Sequence, residues 1–479
     1  MYNLILLHSN QKTTDMQSAA IFKIVFKLAF FLATVISSAQ DISGTWKGDL
    51  KIQAMELPLA FNVSEDNGAF LATMDSPQQG AYGIPMDSAI FKDNVLTIVF
   101  NKARIEYTAT LVEGTLKGTF KQAGQEFPLT LTKGEAVKEG KPQDPKKPYP
   151  YASEDVTFEN AKAGGIKLAG TLTLPKDVKN PPVAILISGS GPQNRNEELL
   201  GHKPFLVLAD YLTRQGIAVL RYDDRGVAKS EGKFEDATSF DFADDAEAAM
   251  KYLQTRTDVD AKKIGFVGHS EGGLIAPIIA ARNKDVAFCV LLAGPGVSGK
   301  EVLLTQGKKA SELEGYPVNE IEISQKFSGK IYDICAKYKG ESSKKEIKAL
   351  YEEMKTKMTS EKSQKELTDE AISAQVKMIT SPWMLKFLGY DPQTSLPKVN
   401  CPVLAVNGEK DFQVISKLNL DAIGKGLKHN KDVTIKEFKD LNHLFQTSET
   451  GAFSEYAKIE ETFAPVALNF VSNWIKERF

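Results

Sequence analysis

The stretch IGFVGHSEGGLIA, residues Ile264 to Ala276, decides the fold of the second half of the chain. It opens with the apolar run Ile264–Gly268, which predicts a buried strand, and it leads into EGGLIAPIIAAR, Glu271 to Arg282, which predicts an apolar helix. Ser270 lies at the sharp turn between the two. A serine at such a turn exposes its hydroxyl at the end of a sheet, which is the setting of a nucleophile.

Three glycines surround this serine. Gly268 and Gly272 remove side chains that would crowd the turn, and Gly273 permits close packing of the helix. The alternative is that Ser270 is only a small residue in a tight turn, because the short pattern G-x-S-x-G also arises by chance. The position of Ser270 between a strand and a helix favours the nucleophile.

Further apolar runs in this half of the chain predict a parallel sheet. Four of them alternate with helix-length amphipathic segments: PVAILISGSG, GIAVLRYD, VAFCVLLAG and CPVLAVNG. This alternation is typical of an α/β fold, a mostly parallel sheet with helices on both faces. Between the last two runs, residues 297–396 are rich in Lys and Glu with helical periodicity, which predicts a helical cap inserted at a strand end.

Residues 40–133 have a different pattern. Short β-rich runs such as GTWKGDLKI, RIEYTATLVEG and TLKGTFKQ alternate with turns that contain Gly, Asn or Asp. Period-two alternation at this spacing predicts a small antiparallel β domain, either a sandwich or a barrel, and ISGTWKGDL resembles the first strand of lipocalin-like barrels. We interpret this domain as a packing or binding module.

The segment 134–150 separates the two patterns. It is rich in Pro and Lys and poor in aliphatic residues, which predicts a semi-rigid exposed linker. We therefore expect an antiparallel β domain at 40–133 and a catalytic domain at 151–479, with the helical cap at about 297–396.

The N-terminal 39 residues have the pattern of a secretory signal. Lys23 and Lys27 precede an apolar run, Leu28 to Ile36, and small residues follow at Ser37 and Ala39. This pattern predicts cleavage before residue 40 and a secreted or periplasmic protein, with residues 1–15 upstream of the true start. An uncleaved membrane anchor is the alternative, but the apolar run is short for a stable span.

Composition limits the possible partners. The chain has 479 residues, of which 42% are hydrophobic and 25% charged, and a formal net charge of −2. Loss of residues 1–39 removes three lysines and one aspartate, which makes the net charge −4. Because the basic residues are scattered among acidic ones, a nucleic-acid interface is not expected, and a small-molecule partner fits better. No pattern specifies an oligomeric state.

Cysteine usage points away from disulfides and metals. Cys289, Cys335 and Cys401 are too few for a disulfide framework and lack metal-ligand spacing. We expect three free thiols, no metal site and no cofactor.

A serine nucleophile needs a general base, and histidine is scarce enough for elimination. Of the five histidines, His8 lies in the presequence, His269 adjoins the serine, His202 precedes a helix and His429 lies in a polar turn. His443 remains, in a loop after the strand-like run Val433–Phe438, where such a base belongs. The alternative is a surface loop histidine.

The base in turn needs a carboxylate to orient it. CPVLAVNGEKDFQV places Asp411 four residues after the probable strand end at Asn407, on the edge shared with Ser270 and His443. Glu409 is the rival and Asp440 a more distant one. The order serine, aspartate, histidine is that of α/β-hydrolases.

Acyl transfer also needs hydrogen-bond donors for the developing oxyanion. ILISGSGPQNR, Ile185 to Arg195, ends a strand in a Gly-rich loop. The backbone N–H groups of Ser190 and Glu271 are our candidate donors. The alternative is that SGSGP merely turns the chain.

Residues 151–479 resemble the α/β-hydrolase superfamily, most closely secreted bacterial serine carboxylesterases, through SGSGPQ, RYDDRG, GHSEGG, NGEKD and NH in this order. The resemblance implies Ser270 as nucleophile, Asp411 as orienting acid, His443 as base and an oxyanion hole around Ser190. It also implies hydrolysis of short acyl esters without a cofactor.

Two motifs within the resemblance leave alternatives open. The oxyanion loop begins with Ser188 where many members have His before Gly, so that Ser190, Gly191 and Gln193 all remain possible donors. In RYDDRGVAKS, residues 221–230, the charged residues are Asp223, Asp224 and Arg225. They could contact substrate, but charged residues in a turn more commonly form hydrogen bonds with backbone groups of that turn.

The sequence therefore predicts a serine hydrolase that cleaves carboxylic esters through an acyl-enzyme. A peptidase, a thioesterase or a sugar deacetylase would use the same triad, whereas a dehalogenase would need an aspartate at position 270. A non-catalytic binding protein would have no need for all three triad residues. The predicted cap, including Trp383, Met384 and Phe387, could shape the pocket, although apolar residues at helical spacing more often form core.

Overall fold

The computed structural model describes residues 42–479 except 53–54, 67, 77–80, 123 and 135–139. The predicted signal segment therefore lies outside the described residues. The chain divides into two compact units, of which the first holds most of residues 42–134 and the second holds residues 140–479.

The first unit is antiparallel. Its described strands are β1 Gly44–Ile52, β2 Met55–Asp66, β3 Ala69–Ser76, β4 Ala81–Pro85, β5 Ser88–Lys92, β6 Val95–Phe100, β7 Ile105–Val112, β8 Thr115–Gln122 and β9 Gln125–Lys133, with a 3-10 turn at Asn101–Ala103. They pair in the order β2-β1-β9-β8-β7-β6-β5-β3-β4, and β2 also pairs with β3. Eight strands thus close into a barrel, with β4 on its outside edge, which confirms the predicted antiparallel β domain.

Alternating polarity explains why these strands close around a core. In β7, Ile105, Tyr107, Ala109 and Leu111 are buried, while the residues between them face outward. Trp46 is also buried, and its indole N–H donates to the carbonyl oxygen of Ile42 at 2.7 Å. The sequence analysis did not identify β3, β4 and β5.

The second unit is built on an eight-stranded mixed sheet. Its strands are β10 Ala152–Asn160, β11 Ile166–Leu174, β12 Val183–Ile187, β13 Ala218–Tyr222, β14 Ile264–His269, β15 Cys289–Leu292, β16 Val403–Gly408 and β17 Val433–Phe438. The order is β10-β11-β13-β12-β14-β15-β16-β17, and all pairings from β13 to β17 are parallel. Every residue of β12 to β16 is buried, as expected of strands covered on both faces.

The second unit also contains twelve described helices. They are α1 Pro204–Arg214, α2 Ser239–Gln254, α3 Glu271–Arg282, α4 Gly299–Leu313, α5 Val318–Cys335, α6 Glu341–Lys357, α7 Glu361–Glu366, α8 Asp369–Ile379, α9 Pro382–Leu388, α10 Ser416–Gly426, α11 Phe453–Tyr456 and α12 Pro465–Lys476, with 3-10 turns at Ala161–Ala163, Pro392–Thr394 and Leu396–Lys398. Apolar side chains of α1 and α12 share one core with one face of the sheet. Those of α2, α3 and α10 pack on the opposite face.

The cap consists of the six helices α4 to α9, which lie between β15 and β16. The predicted α/β fold with a helical insertion is confirmed. Over the described part of the chain, none of the helices has both the length and the hydropathy needed to cross a membrane. All three cysteines are free thiols, as predicted.

Part of the predicted linker is attached to the second unit. The Lys141 ammonium donates to the carbonyl oxygens of Ala457 and Ile459 at 3.2 and 2.9 Å. The Gln143 carboxamide oxygen accepts from the backbone N–H groups of Thr462 and Phe463 at 2.6 and 2.9 Å. These contacts fix the segment that leads into β10. The exact domain limits remain predictions.

Candidate active site

The turn after β14 holds Ser270 in a strained conformation. Its φ of 53° and ψ of −116° lie outside the regions that most residues adopt, and its N–H donates to the carbonyl oxygen of Leu292 at 2.8 Å. A Cβ on Gly268 would lie 2.0 Å from the carbonyl oxygen of Gly272, and one on Gly272 would lie 2.1 Å from that of Ile187. Both glycines are therefore required for this close approach, which is the geometry of a nucleophile elbow.

His443 lies on the loop after β17 and is buried. Its Nδ1 is 2.8 Å from Oδ2 of Asp411. Its ring also contacts the ring of His269, the residue before Ser270, with 4.8 Å between the centroids. Because Nδ1 is bound by the carboxylate, Nε2 is the nitrogen left to accept a proton.

Backbone amides hold the Asp411 carboxylate in place. Its Oδ1 accepts from the N–H groups of Gln413 and Val414 at 2.8 and 2.9 Å, while its Oδ2 faces His443. All of these bonds are made inside the protein, since Asp411 is buried. A carboxylate fixed in this way sets both the tautomer and the orientation of its histidine.

The two rival carboxylates make other contacts. Glu409 is exposed and accepts from the backbone N–H of Asp440 at 3.2 Å. The Asp440 side chain forms an ion pair with Lys410 at 2.9 Å. Of the three carboxylates considered, Asp411 is the one hydrogen-bonded to His443.

The other two histidines of the second unit are His202 and His429. His202 is buried, with Nδ1 2.9 Å from the hydroxyl of Thr462 and Nε2 2.9 Å from the carbonyl oxygen of Tyr456. Burial lowers the pKa of His202, and the charge of Lys141 lowers it further. His429 is exposed in the turn after α10. Neither contacts the Asp411 carboxylate.

The loop after β12 contains the predicted oxyanion donors. The N–H of Gly189 donates to Oε1 of Glu197 at 2.6 Å, and the N–H of Gln193 donates to Oδ2 of Asp224 at 3.0 Å. Gln193 is thereby removed from the three donors that the sequence left open, so that Ser190 and Gly191 remain. Their N–H groups lie between these two anchored positions of the loop.

The second predicted donor lies at the start of α3. Glu271 is the first residue of this helix, so its N–H has no acceptor within the helix. Ser190, Ser270 and Glu271 line the same pocket. The structure therefore brings the predicted nucleophile and the predicted donors to one pocket.

The charged motif after β13 supports the loops of the site. Oδ1 of Asp224 accepts from the hydroxyl of Ser188 at 2.8 Å, in addition to its bond from the loop backbone. Asp223 forms an ion pair with Arg195 at 2.7 Å, and Arg225 contacts a carboxylate on α2 at 2.7 Å. Burial raises the pKa of Asp224 well above its ordinary value, although its hydrogen bonds partly offset this effect. These contacts agree with the structural interpretation of RYDDRG.

The pocket in front of Ser270 has an empty volume of about 400 Å³, which includes open solvent. Cap residues form part of its wall: Val302, Leu303, Gln306, Trp383 and Phe387. Met384, the third cap residue named in the sequence analysis, is buried in the core instead. Sequence periodicity alone does not show which of the three residues Trp383, Met384 and Phe387 of α9 line the pocket.

The side chain of Glu271 joins the cap to the nucleophile elbow. Its Oε1 accepts from the indole N–H of Trp383 at 2.8 Å and from the hydroxyl of Ser239 at 2.5 Å. The carboxyl group is buried, and burial raises its pKa while the two hydrogen bonds partly offset the rise. The sequence suggested a role for the backbone of Glu271 but gave no sign of this side-chain contact.

A second carboxylate and imidazole pair was also missed. Oε1 of Glu197 is 2.9 Å from Nδ1 of His269, although the two residues are 72 positions apart in the chain. In the sequence, His269 is excluded as the general base because it adjoins Ser270. Its partner Glu197 is brought to it by the fold, and no local sequence pattern predicts the contact.

Among the described residues, no group of three or more His, Cys, Asp or Glu side chains is arranged to hold a metal ion.

Residues 203–449 match the family model described as serine aminopeptidase, S33. The match covers more than half of the chain and includes Ser270, Asp411 and His443. The chain belongs to this family. It therefore has the α/β-hydrolase fold, in agreement with the resemblance seen in the sequence.

Curated relatives of this S33 family member include esterase EstD of Thermotoga maritima, which is 28% identical over 303 residues, covering 63% of this chain and 62% of EstD. The putative hydrolase YtaP of Bacillus subtilis is 31% identical over 133 residues, covering 24% of this chain and 44% of YtaP. The chain thus spans less than two thirds of the length of either relative. Among solved structures, esterase Pf2001 of Pyrococcus furiosus has a TM-score of 0.44 and 16% identity, covering 68% of this chain and 92% of Pf2001.

Proposed function

We propose that this S33 family member is a serine carboxylesterase that acts on short acyl esters. The observation that carries the proposal is the buried hydrogen bond between Asp411 and His443, 2.8 Å long, beside the strained turn of Ser270. An inert scaffold gains nothing from this arrangement, because a buried carboxylate and a strained serine both cost stability.

In the first half of the proposed reaction, Ser270 Oγ attacks the ester carbonyl carbon while His443 Nε2 takes the hydroxyl proton. Asp411 stabilises the imidazolium that forms and keeps Nδ1 protonated. The carbonyl oxygen becomes negatively charged and accepts from the N–H groups of Ser190 or Gly191 and of Glu271. One such donor contributes about 10²–10³-fold to turnover in known serine hydrolases.

The tetrahedral intermediate then collapses. The bond between the carbonyl carbon and the alcohol oxygen breaks, and His443 gives its proton to the departing alcohol, which leaves an acyl group on Ser270. In the second half, His443 takes a proton from water, the hydroxide attacks the acyl carbon, and the proton returns to Ser270 Oγ as the acid leaves. The cycle consumes only ester and water.

The pocket in front of Ser270 supports an acyl group as the bound part of the substrate. Cap residues Val302, Trp383 and Phe387 form an apolar part of its wall, against which a short acyl chain can pack. The relative EstD carries the word esterase in its name. Thioesters and acetylated sugars share the same reacting group and belong to the substrates to be compared.

A serine aminopeptidase is the second candidate, because the matching family model carries that description. The proposed triad would cleave an amide by the same steps, with an amine in place of the alcohol. Relative turnover of matched esters and amides separates the two functions.

The test is hydrolysis of p-nitrophenyl esters, from acetate to decanoate, beside aminoacyl p-nitroanilides. We expect turnover of the short esters, with the anilides poorer, and its loss in Ser270→Ala. Ser342→Ala on the exposed surface of α6 is the matched control and should behave as the wild type. Faster cleavage of the anilides would favour the peptidase, and full ester turnover in Ser270→Ala would reject the mechanism. Ligand capture without any turnover would indicate a binding protein.

We also propose that the protein is secreted or periplasmic after cleavage before residue 40. The proposal rests on the basic and apolar pattern of the first 39 residues. N-terminal sequencing of the protein recovered from the periplasm or medium of an expressing bacterium tests it. We expect a sequence that begins QDISGTW, whereas a membrane-bound product with an intact N-terminus would contradict cleavage.

A further inference from the structure

A second ion pair lies beside the proposed triad. Glu197 and His269 are both buried, with side-chain exposures of 6% and 8%, and their charged atoms are 2.9 Å apart. Removing a carboxylate and an imidazolium from water costs several kcal/mol each, and their mutual attraction only roughly repays this cost. Stability alone therefore does not account for such a pair.

The contacts of this pair extend to three parts of the site. Oε1 of Glu197 accepts from the N–H of Gly189 at 2.6 Å, which lies directly before Ser190 in the oxyanion loop. Nε2 of His269 is 3.0 Å from the backbone carbonyl oxygen of His443. His269 itself precedes Ser270. The pair thus connects the oxyanion loop, the nucleophile elbow and the loop of the base.

The hydrogen-bonding pattern defines the protons of His269. A carbonyl oxygen can only accept, so Nε2 must carry a hydrogen, and an ionised Glu197 requires a second hydrogen on Nδ1. Burial opposes this charged form, but the Glu197 carboxylate, the carbonyl oxygen of His443 and the charge of Asp411 together outweigh burial and raise the pKa of His269 above its ordinary value. A doubly protonated imidazole can hold both of its partners at once.

Glu197 carries two local costs. Its φ of 53° is unfavourable for a residue with a side chain, and its Oε2 is buried without a hydrogen-bond partner in the described part of the chain. Each of these two features lowers the stability of the folded protein. Local strain of this kind is typical of functional sites, where geometry matters more than stability.

We propose that Glu197 and His269 are positioning residues for the hydrolytic reaction. Glu197 fixes Gly189, so that the next N–H groups along the loop face the carbonyl oxygen of the substrate. His269 fixes the backbone of His443, so that its ring stays aligned with Ser270. The proposal rests on the proposed function, because it assigns these residues to the same reaction.

The test compares Glu197→Gln and His269→Gln with the wild type on p-nitrophenyl acetate. A glutamine at 197 cannot accept from both the Gly189 N–H and the imidazole as strongly as a carboxylate. We expect kcat to fall about 10- to 100-fold with KM within about twofold, since small misplacements of reacting groups reach this size. Inhibition by an alkyl boronic acid, which mimics the tetrahedral intermediate, should weaken by a similar factor.

Glu198→Gln is the matched control. Glu198 is the next residue of the same loop, and its carboxylate contacts Asn194 and Lys203 instead. It should keep the wild-type kcat. The double variant of Glu197 and His269 should lose no more than the worse single variant, because the two act as a unit. A merely structural pair would lower the thermal midpoint but leave kcat and boronate affinity of the folded enzyme unchanged.

The outcomes separate this inference from the proposed function. If the wild type hydrolyses esters through Ser270 and the folded variants keep kcat within twofold, the positioning role is wrong and the esterase stands. If either variant does not fold, the other one decides, since each breaks the connection at a different atom. Absence of both ester and amide turnover in the folded wild type would overturn both proposals.

Discussion

The core of the barrel and the edge of the sheet that holds the proposed catalytic residues bury different kinds of side chain. The barrel core is mainly apolar or aromatic: Trp46, Leu50, Phe61, Leu96, Ile98, Tyr107, Leu116, Phe120 and Leu131. The buried carboxylate of Asp75 is the exception among the described residues of the barrel, and it accepts from the Asn62 side chain at 3.0 Å. The edge where β12 to β17 end buries ionisable groups: Glu197, Asp224, His269, Glu271, Asp411 and His443. Burial of apolar groups stabilises a fold, whereas burial of charge costs free energy unless every group is paired. The apolar side chains that stabilise the barrel and the ionisable groups proposed for catalysis therefore belong to different parts of the chain.

The largest expected effect is at the edge of the sheet that holds the proposed triad. In Asp411→Asn the amide would donate to His443 Nδ1, so that Nε2 would carry the proton and could no longer accept one from Ser270. We expect kcat to fall about 10³–10⁴-fold with little change in stability. Steady-state kinetics and a thermal melt measure both. Glu409→Gln, an exposed rival, is the control, and an equal loss there would contradict the assignment.

The barrel core should respond in the opposite way. Leu131 in β9 is fully buried, so Leu131→Ala should lower the free energy of unfolding of the first unit by about 2–5 kcal/mol. The kcat of the folded protein should stay within twofold, because the proposed catalytic groups all belong to the second unit. Urea unfolding followed by Trp fluorescence measures the first effect. Leu71→Ala, at an exposed position, should change neither the free energy of unfolding nor kcat. A large loss of kcat in folded Leu131→Ala would contradict the separation of the barrel core from the proposed catalytic residues.

A smaller effect is expected where the cap meets the nucleophile elbow. Trp383→Phe removes the N–H bound to Glu271 but keeps the ring stacked on Phe387, whose centroid is 5.3 Å away. We expect kcat/KM for short esters to fall about 10-fold, because a hydrogen bond to a buried carboxyl group is worth about 1.5–3 kcal/mol and Ser239 retains part of it. Tyr390→Phe is the control. It loses the hydrogen bond from the Tyr390 hydroxyl to that of Ser395, 2.7 Å long, and its kcat/KM should equal that of the wild type. Equal kcat/KM values in Trp383→Phe and Tyr390→Phe would show that the contact between Trp383 and Glu271 has only a structural role.

The smallest effect concerns the cap alone. Glu320 accepts hydrogen bonds from Thr359, Ser360 and Ser363. Burial raises the pKa of Glu320, but these bonds outweigh it and lower the pKa to about 2. Because the folded pKa lies below the unfolded one, the stabilisation is complete above about pH 5 and disappears as the pH falls towards 2.

Glu320→Gln should therefore lower the stability of the cap by about 1 kcal/mol at pH 7 and by less at pH 3. Thermal melts across that range measure the difference. Glu322→Gln, exposed on the same helix, should show no such pH dependence. A constant difference between Glu320→Gln and the wild type at all pH values would contradict the pKa argument.

The sequence alone selects candidate residues where a residue follows directly from a strand end. Ser270, Asp411 and His443 could be selected because the carboxyl ends of parallel strands meet at one edge of a sheet, and few histidines compete. The strand and helix on either side of Ser270 are clear for the same reason, since apolar strands buried on both faces stand out.

Residues whose roles depend on distant partners could not be predicted. Glu197 and His269 are joined by the folded loops, and Trp383 reaches Glu271 from a helix 112 positions away. The strands β3 to β5 have weak alternation, and β4 and β5 have only five residues each, too short for period-two patterning to exclude a turn. Lys141 has the composition of a linker, but its ammonium is bound by carbonyl oxygens more than 300 positions away.

The most direct test of the central claim is to trap the acyl-enzyme. The protein is mixed with p-nitrophenyl acetate, quenched in acid within the first turnover, digested and analysed by mass spectrometry. We expect one acetyl group on the peptide that contains Ser270. Rapid ester turnover with no acyl group at Ser270, or with the acyl group on another residue, would contradict it.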